Sequence, residues 1–264
     1  MKQVHFVAQF KGGVGKSLIA SMLAQYFREY SKEYSKKQVF CFDTDPNNQT
    51  FSRYKQLNVE VINILDEDNN INRREFDTLV EKLLGNGDNI AVIDNGSASC
   101  NPLMSYAIEN DMISLLGSNG VEVFFHIPLY GGDALIDTLN GLNAIITQLP
   151  VPNVVVWLNH NQNKISLGKD KTFTDLEIYK KNADRILGVV ELKQRNAETF
   201  GVDIKEMTQR HLTVAEVKTA NGEKNKDKIW KITEIQRINL FYKDICEQLD
   251  SVFAAADDKA KETA

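Results

Sequence analysis

The chain is poor in cysteine and histidine, and this scarcity limits the chemistry it can perform. Three cysteines, Cys41, Cys100 and Cys246, are spread over 264 residues. Their odd number and wide spacing argue against a disulfide framework and favour a reducing compartment. A bridging iron–sulfur cluster needs four thiolates, and no second cysteine lies near Cys100 to complete one from a dimer. The four histidines have no metal-ligand spacing, so we interpret them as structural.

A positive net charge and a long apolar run are also missing. The chain has 31 Lys and Arg against 36 Asp and Glu, a formal charge of −5, which disfavours a surface coated in nucleic acid or anionic lipid. No run approaches the roughly 20 apolar residues that span a bilayer, and the first residues do not resemble a signal peptide. We therefore expect a cytoplasmic protein without membrane insertion. Residues 254–264 are polar and alanine-rich, which predicts a flexible tail without a membrane-binding face.

What the sequence does contain is an alternation of short apolar runs and helical patterns. The runs are β-branched or aromatic, and most are apolar on both faces, as expected for buried parallel strands. They lie at 4–10, 38–45, 89–95, 120–127, 153–159 and 185–192, with a short seventh at 59–65. Amphipathic helices are predicted at 18–27, 73–84, 102–110, 133–148, 174–184 and 231–253.

This alternation predicts an α/β fold with three layers, in which a doubly wound, mostly parallel sheet has helices on both faces. We expect one P-loop ATPase domain over residues 1–253, followed by the polar tail. Residues 160–173 have no clear period and are interpreted as a long loop. In folds of this class, ligands bind at the carboxyl ends of the strands, where each motif described below falls.

The segment KGGVGKS (11–17) follows the first predicted strand and opens the first helix. Its core, GVGKS, matches the second half of the phosphate-binding pattern GxxxxGK[ST], although Phe10 stands where the first glycine is expected. Glycines let backbone N–H groups approach phosphate oxygens, and a helix N-terminus adds partial positive charge. Lys16 is expected to reach the β- and γ-phosphates, and Ser17 to ligate Mg²⁺. The predicted nucleotide-binding residues are Lys11, Gly12, Gly13, Val14, Gly15, Lys16, Ser17 and Leu18.

KGGVGKS resembles the deviant Walker A motif, KGGxGK[ST], of the ParA/MinD superfamily of P-loop ATPases. CFDTDPN (41–47), VIDN (92–95) and WLN (157–159) resemble three further motifs of that superfamily, in the same order. Within it, the chain is most similar to the TraL proteins of plasmid conjugal-transfer operons. The resemblance implies an ATP-dependent dimerising switch that regulates conjugal DNA transfer. It also implies slow ATP hydrolysis that a protein of the transfer or relaxosome machinery stimulates.

The resemblance assigns roles to residues at the ends of the predicted strands. Asp45 matches the aspartate that orients the attacking water, and Asp94 matches the Walker B carboxylate that faces the metal. Asp43 could contribute to the Mg²⁺ coordination shell or to a switch. For both Asp43 and Asp45, the structural alternative is an Asp-Pro turn with capping. Asn159 matches the asparagine that hydrogen-bonds adenine, with a strand-end turn as its alternative. The expected cofactors are ATP or ADP and Mg²⁺, with Ser17, Asp43 and Asp94 as metal residues.

Lys11 is a second lysine that phosphate binding within one subunit does not explain. In the resembled superfamily, the lysine at this position reaches across a dimer to the partner's bound phosphates. A cation from the opposite subunit offsets the repulsion between two facing nucleotides and stabilises the charge-rich transition state. We therefore expect an ATP-dependent homodimer in which Lys11, Lys16 and Asp45 are the catalytic residues.

Two segments depart from the superfamily pattern. DNGSAS (94–99) stands where many relatives continue with two prolines, and Asn95 and Gly96 predict a more flexible switch segment there. VVELKQRN (189–196) replaces a strand that ends in proline and arginine, so adenine contacts in that region are unassigned.

Two other functions remain open from the sequence. One is a ParA-like DNA partition ATPase, and the other is a non-hydrolysing, nucleotide-bound adaptor of the transfer machinery. Direct DNA contact could involve Lys224, Lys226 and Lys228, although acidic residues are interspersed among them and a solvated loop is the favoured interpretation.

Overall fold

A computed structural model describes residues 2–34, 36–85, 87–150, 153–160, 164–168, 171–219 and 229–262. At its centre is a seven-stranded sheet. The strands are β1 (Gln3–Val7), β2 (Val39–Asp43), β3 (Glu60–Val61), β4 (Ile90–Asp94), β5 (Glu122–Tyr130), β6 (Asn153–Asn159) and β7 (Ile186–Leu192). Their order is β3-β2-β4-β1-β5-β6-β7, and every neighbouring pair is parallel.

Helices cover both faces of the sheet, because a parallel sheet buries both of its apolar faces. They are α1 (Lys16–Gln25), α2 (Glu75–Leu84), α3 (Ser97–Glu109), α4 (Met112–Ser118), α5 (Leu135–Gln148), α6 (Glu177–Lys181), α7 (Val202–Gln209), α8 (Val214–Thr219) and α9 (Ile232–Glu262). One core joins the sheet to α2, α3, α4 and α5, and a second joins it to α1, α7, α8 and α9. The predicted three-layer, doubly wound fold is confirmed.

Several element boundaries differ from those predicted. β3 pairs over only two residues, whereas β5 continues three residues past its predicted end. α3 begins at Ser97 rather than at residue 102, and Pro102 lies inside the helix. The short helices α4, α7 and α8 were not predicted, since six to eight residues are too few to show a helical period. α9 continues past residue 253 to Glu262, so the helix extends into the predicted tail.

The topology brings three strand ends together. β2, β4 and β1 are neighbours, and Asp94 lies in register with both Asp43 and Val7. Chain order reverses beside β1, which has β4 on one side and β5 on the other. Such a switch point opens a crevice at the carboxyl ends of the strands. The segments after β1, β2 and β4 therefore meet in one place.

A chain of buried polar side chains lies in the core beneath α9. Trp157 Nε1 donates to His126 Nδ1 at 3.0 Å, and His126 Nε2 lies 3.0 Å from His5 Nδ1. Because an indole N–H can only donate, His126 carries its proton on Nε2 and donates to His5. Burial lowers the pKa of His126 to about 3, so both rings stay neutral near pH 7. These contacts support the structural interpretation of His5 and His126.

The helices in the described ranges include none with the length and apolar character that a transmembrane segment needs.

Candidate functional site

The loop between β1 and α1 contains the predicted phosphate-binding motif. Gly13 and Gly15 have φ angles of 75° and 95°, a conformation that residues with side chains rarely adopt. Gly15 also precedes α1, and a Cβ atom on it would lie 2.7 Å from Asn159 Nδ2. The first N–H groups of a helix have no intrahelical acceptor, so this turn offers donors to an anion.

A pocket of about 390 Å³ lies against this loop, within the range typical of small-ligand sites. Its lining includes Asp45 and six predicted loop residues, which are Gly12, Gly13, Gly15, Lys16, Ser17 and Leu18. Lys11, Val14, Asp43, Asp94 and Asn159 are not part of the lining. The structure adds Asn48, Thr50, Tyr54, Ser97 and Thr208, which sequence reasoning missed. No motif marks them, because they come from separate segments that only the fold brings together.

Lys16 is held inside the loop. Its Nζ donates to the Lys11 carbonyl oxygen at 3.0 Å, and the residue is 8% exposed. Burial lowers the pKa of Lys16, whereas the nearby carboxylates of Asp94 and Asp45 oppose that shift. The ammonium group is therefore partly desolvated beside a pocket, where a bound anion would be attracted more strongly than at the surface.

Asp94 is a buried carboxylate with an unused oxygen. Its Oδ1 has no hydrogen-bond partner among the described residues, while Ser17 lies close enough to the same carboxyl group to favour its ionised form. Burial and the neighbouring Asp43 raise the pKa of Asp94 to about 7. A divalent cation near Ser17 would give the unused oxygen a ligand role and favour the ionised form. These two residues therefore fit a magnesium site that nucleotide phosphates and water would complete.

No group of three or more His, Cys, Asp or Glu in the described ranges could hold a metal by itself. Asp43 is fully buried, and its carboxylate accepts from the Asp45 and Ser52 backbone amides at 3.0 Å each. This is the capping arrangement that the sequence left open, and it fixes the turn after β2. Direct metal binding by Asp43 stays a prediction.

Asp45 makes the turn contacts considered for it and also lies at the pocket. Its Oδ1 accepts from the backbone amides of Asn47 at 2.9 Å and Asn48 at 3.1 Å, as expected of an Asp-Pro turn. It also lines the pocket with Lys16 and Ser17. Its position is compatible with orienting a water molecule, and that catalytic role stays a prediction.

Lys11 is paired outside the pocket. Its Nζ lies 2.8 Å from Asp137 Oδ2, in the first turn of α5, and the two side chains are 45% and 54% exposed. Asp137 was not identified from the sequence, because 126 residues separate it from Lys11. The carbonyl oxygen of Lys11 accepts a hydrogen bond from Lys16 of the same chain, whereas the Lys11 side chain is partly exposed to solvent.

Asn159 supports the loop from the end of β6. Its Nδ2 donates to the Val14 carbonyl oxygen at 3.0 Å, and the residue is buried. This bond connects β6 to the phosphate-binding loop. Contact of Asn159 with adenine stays a prediction. Lys224, Lys226 and Lys228, which were considered for DNA contact, lie outside the described residues.

Gln9 anchors the beginning of the loop against α5. The buried side chain donates to the carbonyl oxygens of Pro128 and Thr138, both at 3.0 Å, and accepts from the Phe10 amide at 2.9 Å. It occupies the space that a Cβ atom on Gly141 would need. The same helix therefore holds both the start of the loop and the Lys11 side chain.

Comparisons with known proteins agree with this geometry. The family model described as CobQ/CobB/MinD/ParA nucleotide binding domain matches residues 5–219. Two Escherichia coli proteins named Protein TraL are each 38% identical to the chain. One match covers 252 residues, 95% of this chain and 98% of the relative, and the other covers 217 residues, 82% and 87%.

Among solved structures, the MinD cell division protein of Aquifex aeolicus aligns over 92% of this chain and 95% of its own. The TM-score is 0.49 and the identity 14%. The family match covers most of the chain, and the TraL relatives are similar along nearly all of it. The resemblance drawn from the motifs is confirmed, and the chain belongs to the CobQ/CobB/MinD/ParA nucleotide-binding domain family.

Proposed function

We propose that this protein binds ATP with Mg²⁺, dimerises in the ATP-bound form and hydrolyses ATP slowly. The observation that carries this proposal is the convergence of Lys16 and Ser17 at one glycine-lined pocket, with the buried carboxyl group of Asp94 and its unused oxygen beside these two residues. A cation, a hydroxyl and a buried carboxylate together suit a metal-bound polyphosphate. The neutral histidine chain in the core offers no comparable set.

The chain's own residues would divide the work as follows. Backbone N–H groups of the loop and α1 bind the phosphates, and Lys16 offsets charge on the β- and γ-phosphates. Mg²⁺, when bound, would supply positive charge that offsets the charge developing on the phosphates. Ser17 and Asp94 would hold its shell. Asp45 would orient the attacking water, because it lines the same pocket from the neighbouring strand end.

Lys11 would act in a second copy of the chain. Its ammonium group does not line its own pocket, and its pairing with Asp137 is exposed. Exposed ion pairs contribute about 0–1 kcal/mol, so a partner's phosphates could replace the carboxylate as its counter-ion. Nucleotide would then favour dimerisation, and dimerisation would favour hydrolysis.

The dimer is tested by sedimentation of the protein without nucleotide, with ADP and with ATP. We expect the molar mass to increase only in the sample with ATP. Lys11→Ala should bind nucleotide with an affinity similar to that of the original chain, yet lose the ATP-dependent dimer and its turnover. Lys37→Ala, which removes another lysine paired with an aspartate, away from the pocket, is the control. A Lys11→Ala protein that dimerises and turns over normally would refute the proposed role.

A non-hydrolysing adaptor is the second candidate, and two hydrogen bonds of Asp45 favour it. Asp45 Oδ1 is already engaged by two backbone amides, which is the role of a structural turn. Single-turnover loss of ATP distinguishes the two functions. Equal loss in the original chain and in Asp45→Ala would favour the adaptor, whereas slower loss in Asp45→Ala would favour the ATPase.

The biological setting that we propose is plasmid conjugal DNA transfer in the cytoplasm, with a protein partner in the transfer or relaxosome machinery. Similarity to two TraL proteins supports it. The test is transfer frequency from a plasmid that lacks the gene, complemented with the original chain or with Lys16→Ala. We expect only the original chain to restore transfer. If both proteins restored transfer, nucleotide binding by Lys16 would not be required for the transfer function.

A further inference from the structure

Gly96, the residue that follows Asn95 after β4, is in close contact with Asp45. A Cβ atom on Gly96 would lie 2.5 Å from Asp45 Cγ and 2.8 Å from both its Cα and its Cβ. Because Cα belongs to the backbone, rotation of the Asp45 side chain alone could not relieve this overlap. Any side chain at position 96 would displace the turn that contains Asp45.

The backbone at Gly96 does not itself require glycine. Its φ and ψ angles are −58° and 157°, which most residues adopt readily. Space is therefore the reason that only glycine fits. This differs from Gly13 and Gly15, where positive φ angles favour glycine whatever the space.

Asn95 ties the same two segments together through its side chain. Its Oδ1 accepts from Thr44 Oγ1 at 2.8 Å and from Ser99 Oγ at 3.0 Å, and all three residues are fully buried. The Thr44 amide also donates to the Asp94 carbonyl oxygen at 3.0 Å. Thr44, the residue before Asp45, is thus linked to the end of β4 and, through Asn95, to the start of α3.

The sequence predicted that Asn95 and Gly96 would loosen this segment. The contacts indicate the opposite, because a buried hydrogen-bonded amide and a close-packed glycine restrict motion. We propose that Asn95 and Gly96 are positioning residues that fix Asp45 and couple its position to the segment after Asp94. This inference rests on the proposed function insofar as Asp45 acts in hydrolysis, whereas its positional part can be tested without turnover.

The positional test is hydrogen exchange, measured by mass spectrometry on a peptide that spans residues 44–50. The amides of Asp45, Asn47 and Asn48 report directly, since each donates to the carboxylate of Asp43 or Asp45. In Gly96→Ala we expect exchange in this peptide to be faster by about fivefold or more, because opening of the turn becomes easier. Gly117→Ala is the matched control, since a Cβ atom there meets nothing within 4 Å.

A second pair of variants keeps the test decisive if Gly96→Ala folds poorly. Thr44→Val removes the hydroxyl that binds Asn95 while preserving shape, and Thr44→Ser retains it. We expect faster exchange of the 44–50 peptide in Thr44→Val and rescue in Thr44→Ser. Equal exchange in both Thr44 variants, or unchanged exchange in a folded Gly96→Ala protein, would overturn the inference.

Turnover supplies the functional readout. If the original chain hydrolyses ATP, Gly96→Ala should lower kcat by about tenfold with KM changed less than about twofold, the pattern of a lost transition-state interaction. Unchanged kcat alongside faster exchange would also overturn the coupling to hydrolysis. If the original chain has no turnover, the proposed ATPase fails, and the exchange experiment still decides whether Asn95 and Gly96 position Asp45.

Discussion

Two regions of this molecule each contain a buried polar atom with no described hydrogen-bond partner, and only one of them looks like a ligand site. Asp94 Oδ1 lies at the end of β4, and His5 Nε2 lies in the core on β1. Around Asp94 are a serine hydroxyl and a lysine that line a pocket. Around His5 are the aromatic rings of Phe27, Phe124 and Phe253.

From this difference we infer that an unpaired buried atom is a sign of a ligand site where a pocket and complementary charge lie beside it. Asp94 can ionise when a cation binds. The histidine chain stays neutral, and aromatic rings surround His5. We therefore expect changes at the first region to alter nucleotide binding, and changes at the second to alter folding stability.

The largest expected effect is on the core. His126→Ala should leave a cavity and an unpaired Trp157 N–H, which together lower the free energy of unfolding by about 3–4 kcal/mol. Nucleotide affinity of the folded protein should change little. Denaturant titration and calorimetry measure the two quantities, and His160→Ala, at a less buried histidine, is the control. A large loss of nucleotide affinity in His126→Ala with unchanged stability would contradict this contrast between the two regions.

A slightly smaller effect is expected at the pocket. Lys16→Ala removes charge-assisted hydrogen bonds worth about 1.5–3 kcal/mol, which corresponds to about a 10- to 100-fold loss of ATP affinity. Titration with ATP and Mg²⁺ measures this loss, with Lys37→Ala as control. ATP binding that is unaffected by Lys16→Ala would place the nucleotide elsewhere.

A third prediction concerns pH. Because burial raises the pKa of Asp94 to about 7, protons compete with Mg²⁺ below that pH. The ionised fraction rises about tenfold between pH 6 and pH 8, and the Mg²⁺-dependent gain in ATP affinity should rise by the same factor. Asp94→Asn should abolish this pH dependence. A gain that is independent of pH in the original chain would show that Asp94 does not face the metal.

The contribution of Asp94 to folding stability depends on pH in the opposite direction. A carboxyl group whose pKa is higher in the folded protein than in the unfolded chain binds protons more tightly when folded. Without metal, the contribution of Asp94 therefore becomes less favourable as pH rises from about 4 to 7. Added Mg²⁺ and nucleotide should offset this loss, which thermal unfolding at several pH values would detect.

The smallest expected effect concerns the exposed ion pair between Lys11 and Asp137, which lies outside the pocket. Asp137→Asn should change unfolding free energy by less than about 1 kcal/mol, since the pair with Lys11 is exposed. By freeing Lys11, it should strengthen the ATP-dependent dimer by up to about fivefold. Sedimentation equilibrium measures this, and Asp88→Asn, which changes the exposed aspartate of another lysine pair, is the control. A weakened dimer would contradict the proposal that Asp137 competes with the partner.

Much of the fold could be predicted because its signals are local. Strands such as β4 and β6 are continuous apolar runs, and the loop before α1 has a fixed spacing of glycine and lysine. The three short helices α4, α7 and α8 could not be predicted, since packing against the sheet rather than their own period stabilises them.

The site was predictable only in part for a similar reason. Lys16, Ser17 and Asp45 carry motif signals and do line one pocket. Asp137 and Thr208 carry none, because their proximity to the loop depends on the path of the whole chain. The segment after Asp94 was misjudged since composition suggested freedom, whereas tertiary contacts determine how far Gly96 can move.

The fit between Gln9 and Gly141 limits how this protein can change over evolutionary time. A glycine inside α5 costs about 1 kcal/mol relative to alanine, so the helix alone would favour replacing it. The Gln9 side chain blocks that replacement, because it fills the space where the new methyl group would lie. The two positions should therefore show epistasis. Alanine at position 141 would require the Gln9 amide group to move or a smaller residue to replace Gln9, and either change would be at the expense of the bonds that anchor the loop.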